Sequence, residues 1–290
     1  MNTKKRLFGL EILAIFLLVV YVLPFYIVVI NSAKPTLEII MNPLSLPDNP
    51  TQFFANVGAI LDSVVVRYAS SFWSSVIITT VSVMLIALIS SMAAWVLVRT
   101  KTKLSTVIFM IFVAAMVVPF QVVMFPLISW FNTVETVTGL INTPFRLLQN
   151  YPGIVLAYMG FGSSLSIFLY HGFIKSIPLD LEEAATIDGC SKTITFFRII
   201  FPILKPITIT VIILNGIWIW NDYLLPLMVL GTGNQVQTLP LAVAHFVGSF
   251  VRRWDLILTA TLMAMAPVIV IFLFLQKHII KGMVEGSVKG

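Results

Sequence analysis

An all-α integral membrane fold with six transmembrane helices and both termini cytoplasmic is predicted by three observations. The chain of 290 residues is 59% hydrophobic and only 10% charged. Its apolar residues fall into long uncharged runs, and its Lys and Arg residues crowd to one side of those runs. Soluble domains carry roughly a quarter charged residues, so a mean hydropathy of +1.01 excludes one. The net charge of +6 needs no nucleic-acid partner, because the basic residues flank apolar runs in the way that cytoplasmic loops next to membrane lipid demand.

A bilayer core takes about 20 apolar residues per helix, since lipid satisfies no backbone N–H or C=O group. The uncharged runs are Ile12 to Ile30, Tyr68 to Val98, Leu104 to Val134, Leu147 to Ile174, Pro206 to Leu230 with Asp222 near its outer end, and Leu256 to Gln276. They predict spans near 12–30, 71–98, 104–128, 152–174, 206–230 and 256–276. The first run is too long for the apolar core of a signal peptide, so it reads as an uncleaved helix.

Orientation follows from the basic residues. Lys4, Lys5, Arg6, Arg99, Lys101, Lys103, Lys175, Lys192, Arg198, Lys205, Lys277, Lys281 and Lys289 fall on one side, and only Lys34, Arg67, Arg146, Arg252 and Arg253 on the other. The first side is therefore cytoplasmic. Outside, the segment from Asn31 to Arg67 carries Pro35, Pro43, Pro47 and Pro50 and reads as a surface loop without a regular core. The Gly231 to Gly248 loop, with Gly233 between, reads as mobile. No repeat or separate domain is visible, so residues 1–290 read as a single transmembrane domain. Cys190, the single cysteine, has no partner for a disulfide or a metal site, and no metal or catalytic residue is assigned.

The loop 176–205 stands apart, with four of the twelve acids: Asp180, Glu182, Glu183 and Asp188. Asp180 and Glu183 have the spacing of a capping box, Pro178 restricts the entry, and Gly189 suits a left-handed stop, so Asp180 to Asp188 should be a short helix. Ser191 should cap a second helix with Ile194, Phe197 and Phe201 on one face, interrupted at Pro202 and Pro206. A short helix with an acidic edge and small Ala184 and Ala185 suits docking in another protein's groove. On spacing alone it is equally a solvated membrane-surface helix.

Glu183-Ala184-Ala185, then Gly189, Ile199, Phe201 and Pro202 resemble the EAA loop of the permease subunits of bacterial ABC importers. Ile187-Asp188-Gly189, Trp220 to Leu227, Thr238-Leu239-Pro240, Gln276 and the tail Gly282 to Gly290 extend the resemblance to the carbohydrate branch, and within it to the smaller maltose-type permease. Phe201 stands where the pattern has Leu, and Cys190 where Ala is usual. The resemblance implies a type I ABC importer permease fold in the bacterial inner membrane. It implies four kinds of partner: a second permease subunit (a heterodimer), a dimeric P-loop ATPase, an extracytoplasmic sugar-binding protein, and lipid. It further implies that Glu182, Glu183, Ala184, Ala185, Asp188 and Gly189 couple to the ATPase. The chain has no G-x-x-x-x-G-K-[ST] loop, so no cofactor belongs to it; ATP and Mg²⁺ would sit on the partner.

Polar residues inside spans usually face a cavity, so Gln121, Asn215, Trp218, Asn221 and Asp222, with Trp220, are candidates for a sugar path. For the tryptophans an interfacial aromatic belt is the simpler reading, and for Asn221-Asp222 helix-end capping. His171 reads as a helix-terminus residue. An ion-coupled secondary transporter would want buried mid-membrane acids, and only Asp222 comes near. An intramembrane enzyme would want a motif such as H-E-x-x-H or G-x-S-x-G, and neither occurs.

Overall fold

The computed structural model describes the backbone of residues 2–64, 66–249 and 253–287, and the side chains of residues 7–64, 66–140, 142–244, 253–270 and 273. The side chains of Lys4, Lys5, Arg6, His245, Arg252, Gln276, Lys277, His278, Lys281 and Lys289 therefore lie outside the described residues, as do those of the tail from Gly282. Every regular element among the described residues is helical, and the chain divides into two compact units.

The first unit comprises residues 1–69 and 242–267. Helix α1 (Asn2–Asn31) is apolar from Leu7 onward apart from Glu11, and none of its most apolar stretch is buried. A helix apolar all round and open all round is one whose solvent is lipid. The segment after it is not the irregular loop that its prolines suggest. It forms α2 (Thr36–Met41) and α3 (Gln52–Leu61), and Ile39, Asn56 and Ile60 are buried. Short polar bonds hold it. The Ser32 carbonyl accepts from Asn56 Nδ2 (3.0 Å) and Thr259 Oγ1 (2.9 Å), and Lys34, fully buried, donates its Nζ to the Asn42 carbonyl (2.9 Å) and Ser45 Oγ (3.2 Å). Thr36 Oγ1 meets Asp255 Oδ1 at 2.7 Å, and Arg253 pairs with the same carboxylate. Proline signals a turn locally, but buried donors and acceptors far apart in sequence decide whether the segment packs.

The second unit comprises residues 70–241 and 268–290. Helix α4 (Tyr68–Arg99) has 32 residues, about 48 Å at 1.5 Å per residue, which exceeds a bilayer core of about 30 Å. Its buried stripe is made of small residues: Ser71, Ser74, Ser75, Ser82, Ala87, Ser90, Ser91 and Ala94, with Ile78 and Ile86. Small side chains let neighbouring backbones approach where lipid supplies no hydrophobic drive.

The third apolar run is not one straight span. It forms α5 (Lys103–Ala115) and α6 (Phe120–Thr138), bent by 108° at residues 116–119. Pro119 lacks an N–H and keeps Val118 out of helical geometry, so the ladder stops there. Helix α5 alone is about 20 Å long, short of a bilayer core. Gly139, at φ 71°, closes α6 in the left-handed region. The segment after it is pinned by the buried Glu135 carboxylate, which accepts from the amides of Leu147 and Leu148. Asn150 then caps α7 (Tyr151–Ile174), accepting from the Tyr151 amide at 2.8 Å. Helix α7 packs against α5 and against the later helices α11 (Lys205–Asn221) and α12 (Leu224–Leu230), and carries buried Ile154, Tyr158, Ile167, Tyr170 and Ile174. Asp222 and Tyr223 interrupt the fifth run.

Between α7 and α11 lie α8 (Asp180–Ile187), α9 (Lys192–Thr195), a π-helical turn (Phe196–Ile200) and α10 (Phe201–Ile203). The stretch 192–203 meets α11 at a bend of 75°, beside Pro202 and Pro206. The loop after α12 is partly regular as well, with α13 (Leu239–Ser249) before the long α14 (Trp254–Ser287). Among the described residues three helices, α1, α4 and α7, are long and apolar enough to cross a membrane, and up to five spans result if each bent pair counts as one. Helix α14 is apolar over Trp254–Val270, the part whose side chains are described without a break.

Candidate functional site

The loop between α7 and α11 is the most organised polar feature of the second unit. Helix α8 forms where Asp180 and Gly189 predict it, but the capping box does not. The amides of Glu182 and Glu183 bond to the Leu179 carbonyl at 2.8 and 3.1 Å, so Leu179 takes the cap position and Asp180 is the first helical residue. The acids still lie in the first turn, where the helix dipole favours negative charge. At the other end Gly189 has φ 77°, and the amides of Gly189 and Cys190 bond back to Thr186 O (3.0 Å) and Ala185 O (2.9 Å). These two bonds make a Schellman stop, which satisfies carbonyls that the helix would otherwise leave open. Ser191 Oγ then accepts from the Ile194 amide at 3.4 Å and caps α9.

The two faces of α8 differ sharply. Ala185 is buried, and Glu182 turns inward to a pair of α4 residues. Its Oε1 lies 2.7 Å from Arg99 Nε, and its Oε2 accepts from Trp95 Nε1 at 3.1 Å. Arg99 also donates to the Ile177 carbonyl at 3.1 Å, just ahead of α8. Glu183, Ala184, Ile187, Asp188 and Gly189 are exposed, Ile187 by 86%. The predicted pair of small residues is thus divided, Ala184 outward and Ala185 inward. A groove of about 510 Å³ runs beside α8 between Trp95, Arg99, Glu183, Ile187 and Lys192.

Of the expected shared face of the next helix, Ile194 and Phe197 are exposed and Phe201 is partly buried, its ring centroid 6.4 Å from that of Phe197. Phe196, Ile200 and Leu204 are the buried set, whereas Ile194 and Phe197 are open. The π turn adds one residue to the helical repeat, with the Phe201 amide bonding back to the Phe196 carbonyl, and π turns are frequent at functional sites. The result is an acidic helix with a defined stop, followed by an open apolar edge at Ile194 and Phe197.

The polar residues read as a path are not brought together. Asn215 is buried and donates to Ser166 Oγ (3.0 Å) and the Val211 carbonyl (2.9 Å), holding α11 to α7. Gly162 permits that contact, because a Cβ there would lie 2.6 Å from Asn215 Oδ1 and 2.6 Å from Ile86 Cδ1. Asp222 Oδ2 accepts from Tyr158 (3.1 Å), while Oδ1 takes the Leu224 amide (3.0 Å) across the break between α11 and α12. Asn221 is exposed and bonds to its own helix at the Ile217 carbonyl (2.7 Å). Trp218 is half exposed and meets Tyr158 edge-on, Gln121 is exposed at the start of α6, and Trp220 is buried against Phe72. His171 is buried and stacked on Phe109. The glycine loop after α12 is anchored to α4, with Gln237 Nε2 to Ser71 Oγ (3.1 Å) and the Leu239 amide to Ser75 Oγ (2.7 Å).

Sequence reasoning missed Trp95 and Arg99 as partners of Glu182. Arg99 reads only as a flanking charge, and nothing local links it to a carboxylate 83 residues on. The serine stripe of α4 was open to discovery through its helical spacing.

The description "binding-protein-dependent transport system inner membrane component" matches residues 86–285. The chain is 39% identical over 285 residues, 97% of its length and 96% of the relative's, to the probable starch degradation products transport system permease protein AmyC of Thermoanaerobacterium thermosulfurigenes. It is 40% identical over 223 residues, 76% of either chain, to the melibiose/raffinose/stachyose import permease protein MelC of Bacillus subtilis. A chain from a bacterial ABC transporter involved in the import of the acidic polysaccharide alginate superposes with a TM-score of 0.73 at 19% identity, covering 96% of this chain and 98% of that one, a likeness of fold.

Proposed function

Because this chain belongs to the family of binding-protein-dependent transport system inner membrane components, we propose that it is the permease subunit of an ATP-driven sugar importer whose exposed helix α8 docks on a separate ATPase. The chain is a multi-pass inner-membrane transport permease and not an enzyme, and it works with the other components of an ABC importer. A sugar cargo is supported by relatives named for starch degradation products and for melibiose, raffinose and stachyose. The finer reading takes all 290 residues as one permease domain of six spans with both ends cytoplasmic, the bent pairs 103–138 and 192–221 each serving as one span. Its partners are a second, non-identical permease, a dimeric P-loop ATPase that holds ATP and Mg²⁺, and an extracytoplasmic sugar-binding protein.

The observation that carries the coupling role is the two-faced helix α8. Glu183, Ala184, Asp188 and Gly189 stay free for a partner, while Glu182 is bound to Arg99 and Trp95 of α4. A push on the outer face therefore moves the end of a membrane helix and does not merely bend a loop. Closure of an ATPase dimer can then favour one of two packings of the spans. Asn215 and Asp222, tied to α7, hold helices together at rest; Gln121, Trp218 and Asn221 are the more open candidates for a sugar path.

The test is purification of the tagged chain from its native membrane in mild detergent, with identification of what comes with it. Recovery of a second permease and an ATPase, with ATP hydrolysis in the eluate, is the expected result. Recovery of the intact chain alone, even after crosslinking through Cys190, would overturn the reading.

A further inference from the structure

At the turn from α4 to α5 a cavity of about 490 Å³ is lined by Lys101, Lys103 and Lys175 together with His171 and Phe109. Among the described residues, the ion pairs are Arg99–Glu182 and Arg253–Asp255, so none of these three ammonium groups faces a carboxylate. Like charges gathered at the edge of a low-dielectric layer repel one another, and an anion between them relieves that cost. His171 forms part of the wall. It is 8% exposed, its ring lies on Phe109 with centroids 3.7 Å apart, and it makes no side-chain hydrogen bond among the described residues. Its nitrogens are not sealed from solvent, so an anion in the cavity can accept a hydrogen bond from the ring.

Two further features shape the ligand. Helix α5, 13 residues long, starts at the cavity; Thr102 Oγ1 takes the Ser105 amide at 3.2 Å, and the earlier amides of the first turn remain for an outside acceptor. Immediately beyond this basic rim the surface of α5 turns apolar, with Leu104 68%, Met110 56% and Ile111 62% exposed. Cationic rim and apolar wall together fit an amphiphile.

We propose that this cavity binds the phosphate of an anionic phospholipid, its head group among Lys101, Lys103, Lys175 and His171 and its acyl chain along the open face of α5. The proposal rests on the reading above in one respect, that the lysine-rich side of the chain lies at the inner membrane surface. Inorganic phosphate shares the head-group chemistry but makes no use of the apolar face.

Native mass spectrometry of the full-length chain in detergent tests it, by titration with dioleoyl phosphatidylglycerol, dioleoyl phosphatidylcholine or inorganic phosphate. Phosphatidylglycerol should bind about tenfold or more tighter than phosphatidylcholine. The Lys101→Gln/Lys103→Gln/Lys175→Gln chain should lose that preference, whereas Lys192→Gln/Arg198→Gln/Lys205→Gln, equal in charge removed, should keep it. His171→Phe, which preserves the stack on Phe109, should weaken phosphatidylglycerol alone. Equal binding of the two lipids, or an unchanged preference in the first triple variant, would overturn the proposal. Saturable phosphate binding without a preference between the lipids would assign the cavity to a free anion and overturn the lipid assignment. Neither result touches the importer reading, which is tested by recovery of the ATPase.

Discussion

Glu182 Oε1 lies 2.7 Å from Arg99 Nε, and this pair joins a surface helix to the last turn of a 32-residue membrane helix. The side chains are 12% and 20% exposed, so the pair is largely shielded and either partner left alone keeps a desolvated charge. Removing one partner of such a bond costs about 1–3 kcal/mol. Glu182→Gln should therefore leave membrane insertion intact and reduce transport per ATP hydrolysed in proteoliposomes containing the whole importer. A double-mutant cycle with Arg99→Gln should show an interaction of about 1–2 kcal/mol in thermal unfolding. Simple additivity of the two substitutions would mean that the pair does no coupling.

Glu183, one residue on, points to solvent. Surface substitutions away from buried features change stability by about 0.5 kcal/mol or less. Glu183→Lys should accordingly unfold at the wild-type temperature while retaining much less ATPase in affinity purification. Undiminished recovery of the ATPase would remove Glu183 from the docking face.

Gly189 stops α8 at φ 77°, and a Cβ there meets nothing within 4 Å. The cost of Gly189→Ala is then conformational and not steric, about 1–2 kcal/mol for a non-glycine residue in the left-handed region. Hydrogen exchange of the amides at 185–190 should accelerate about tenfold, since 1.4 kcal/mol is a factor of ten. Gly189→Asn should cost less.

Gly162 sits where α7 approaches Asn215 and Ile86. Gly162→Ala should lower stability by about 1–3 kcal/mol through overpacking, read as a fall in the detergent unfolding temperature. Adding Ile86→Val, which deletes the clashing Cδ1, should return part of the loss. An unchanged unfolding temperature in the single variant would mean that the helices separate there at no cost.

Cys190 is partly exposed beside the stop of α8. A membrane-impermeant maleimide should label it in inverted vesicles and not in intact cells. Labelling from outside would reverse the proposed orientation.

Residues 180–191 were legible because helix stops are local: Gly189 relaxes a left-handed turn, and Ser191 offers an oxygen three residues ahead of the amide it caps. The capping box failed for the same reason in reverse. Leu179 adopts helical geometry after Pro178 and takes the first carbonyl position, so Asp180 is already inside the helix. The shared face of Ile194, Phe197 and Phe201 shows in the spacing of the next helix, but spacing does not tell that Phe196, Ile200 and Leu204, around the π turn at 196–200, are the side chains that go inward. Prolines in the 31–67 segment marked turns correctly, yet gave no sign of the buried Lys34 and Asn56 that hold the segment in place.

By itself the sequence determined that this protein lives in a membrane, where its long apolar runs lie and where its acidic loop helix begins and ends. Each of these depends on composition, run length or the backbone preferences of neighbouring residues. Only the tertiary structure decided that Glu182 faces Arg99 while Glu183 faces out, that Ala184 and Ala185 part company, that Asn215 clasps α7, and that three lysines and a buried histidine share one cavity. These are meetings of side chains tens of residues apart, set by how helices pack and bend, and no local signal in the chain encodes them.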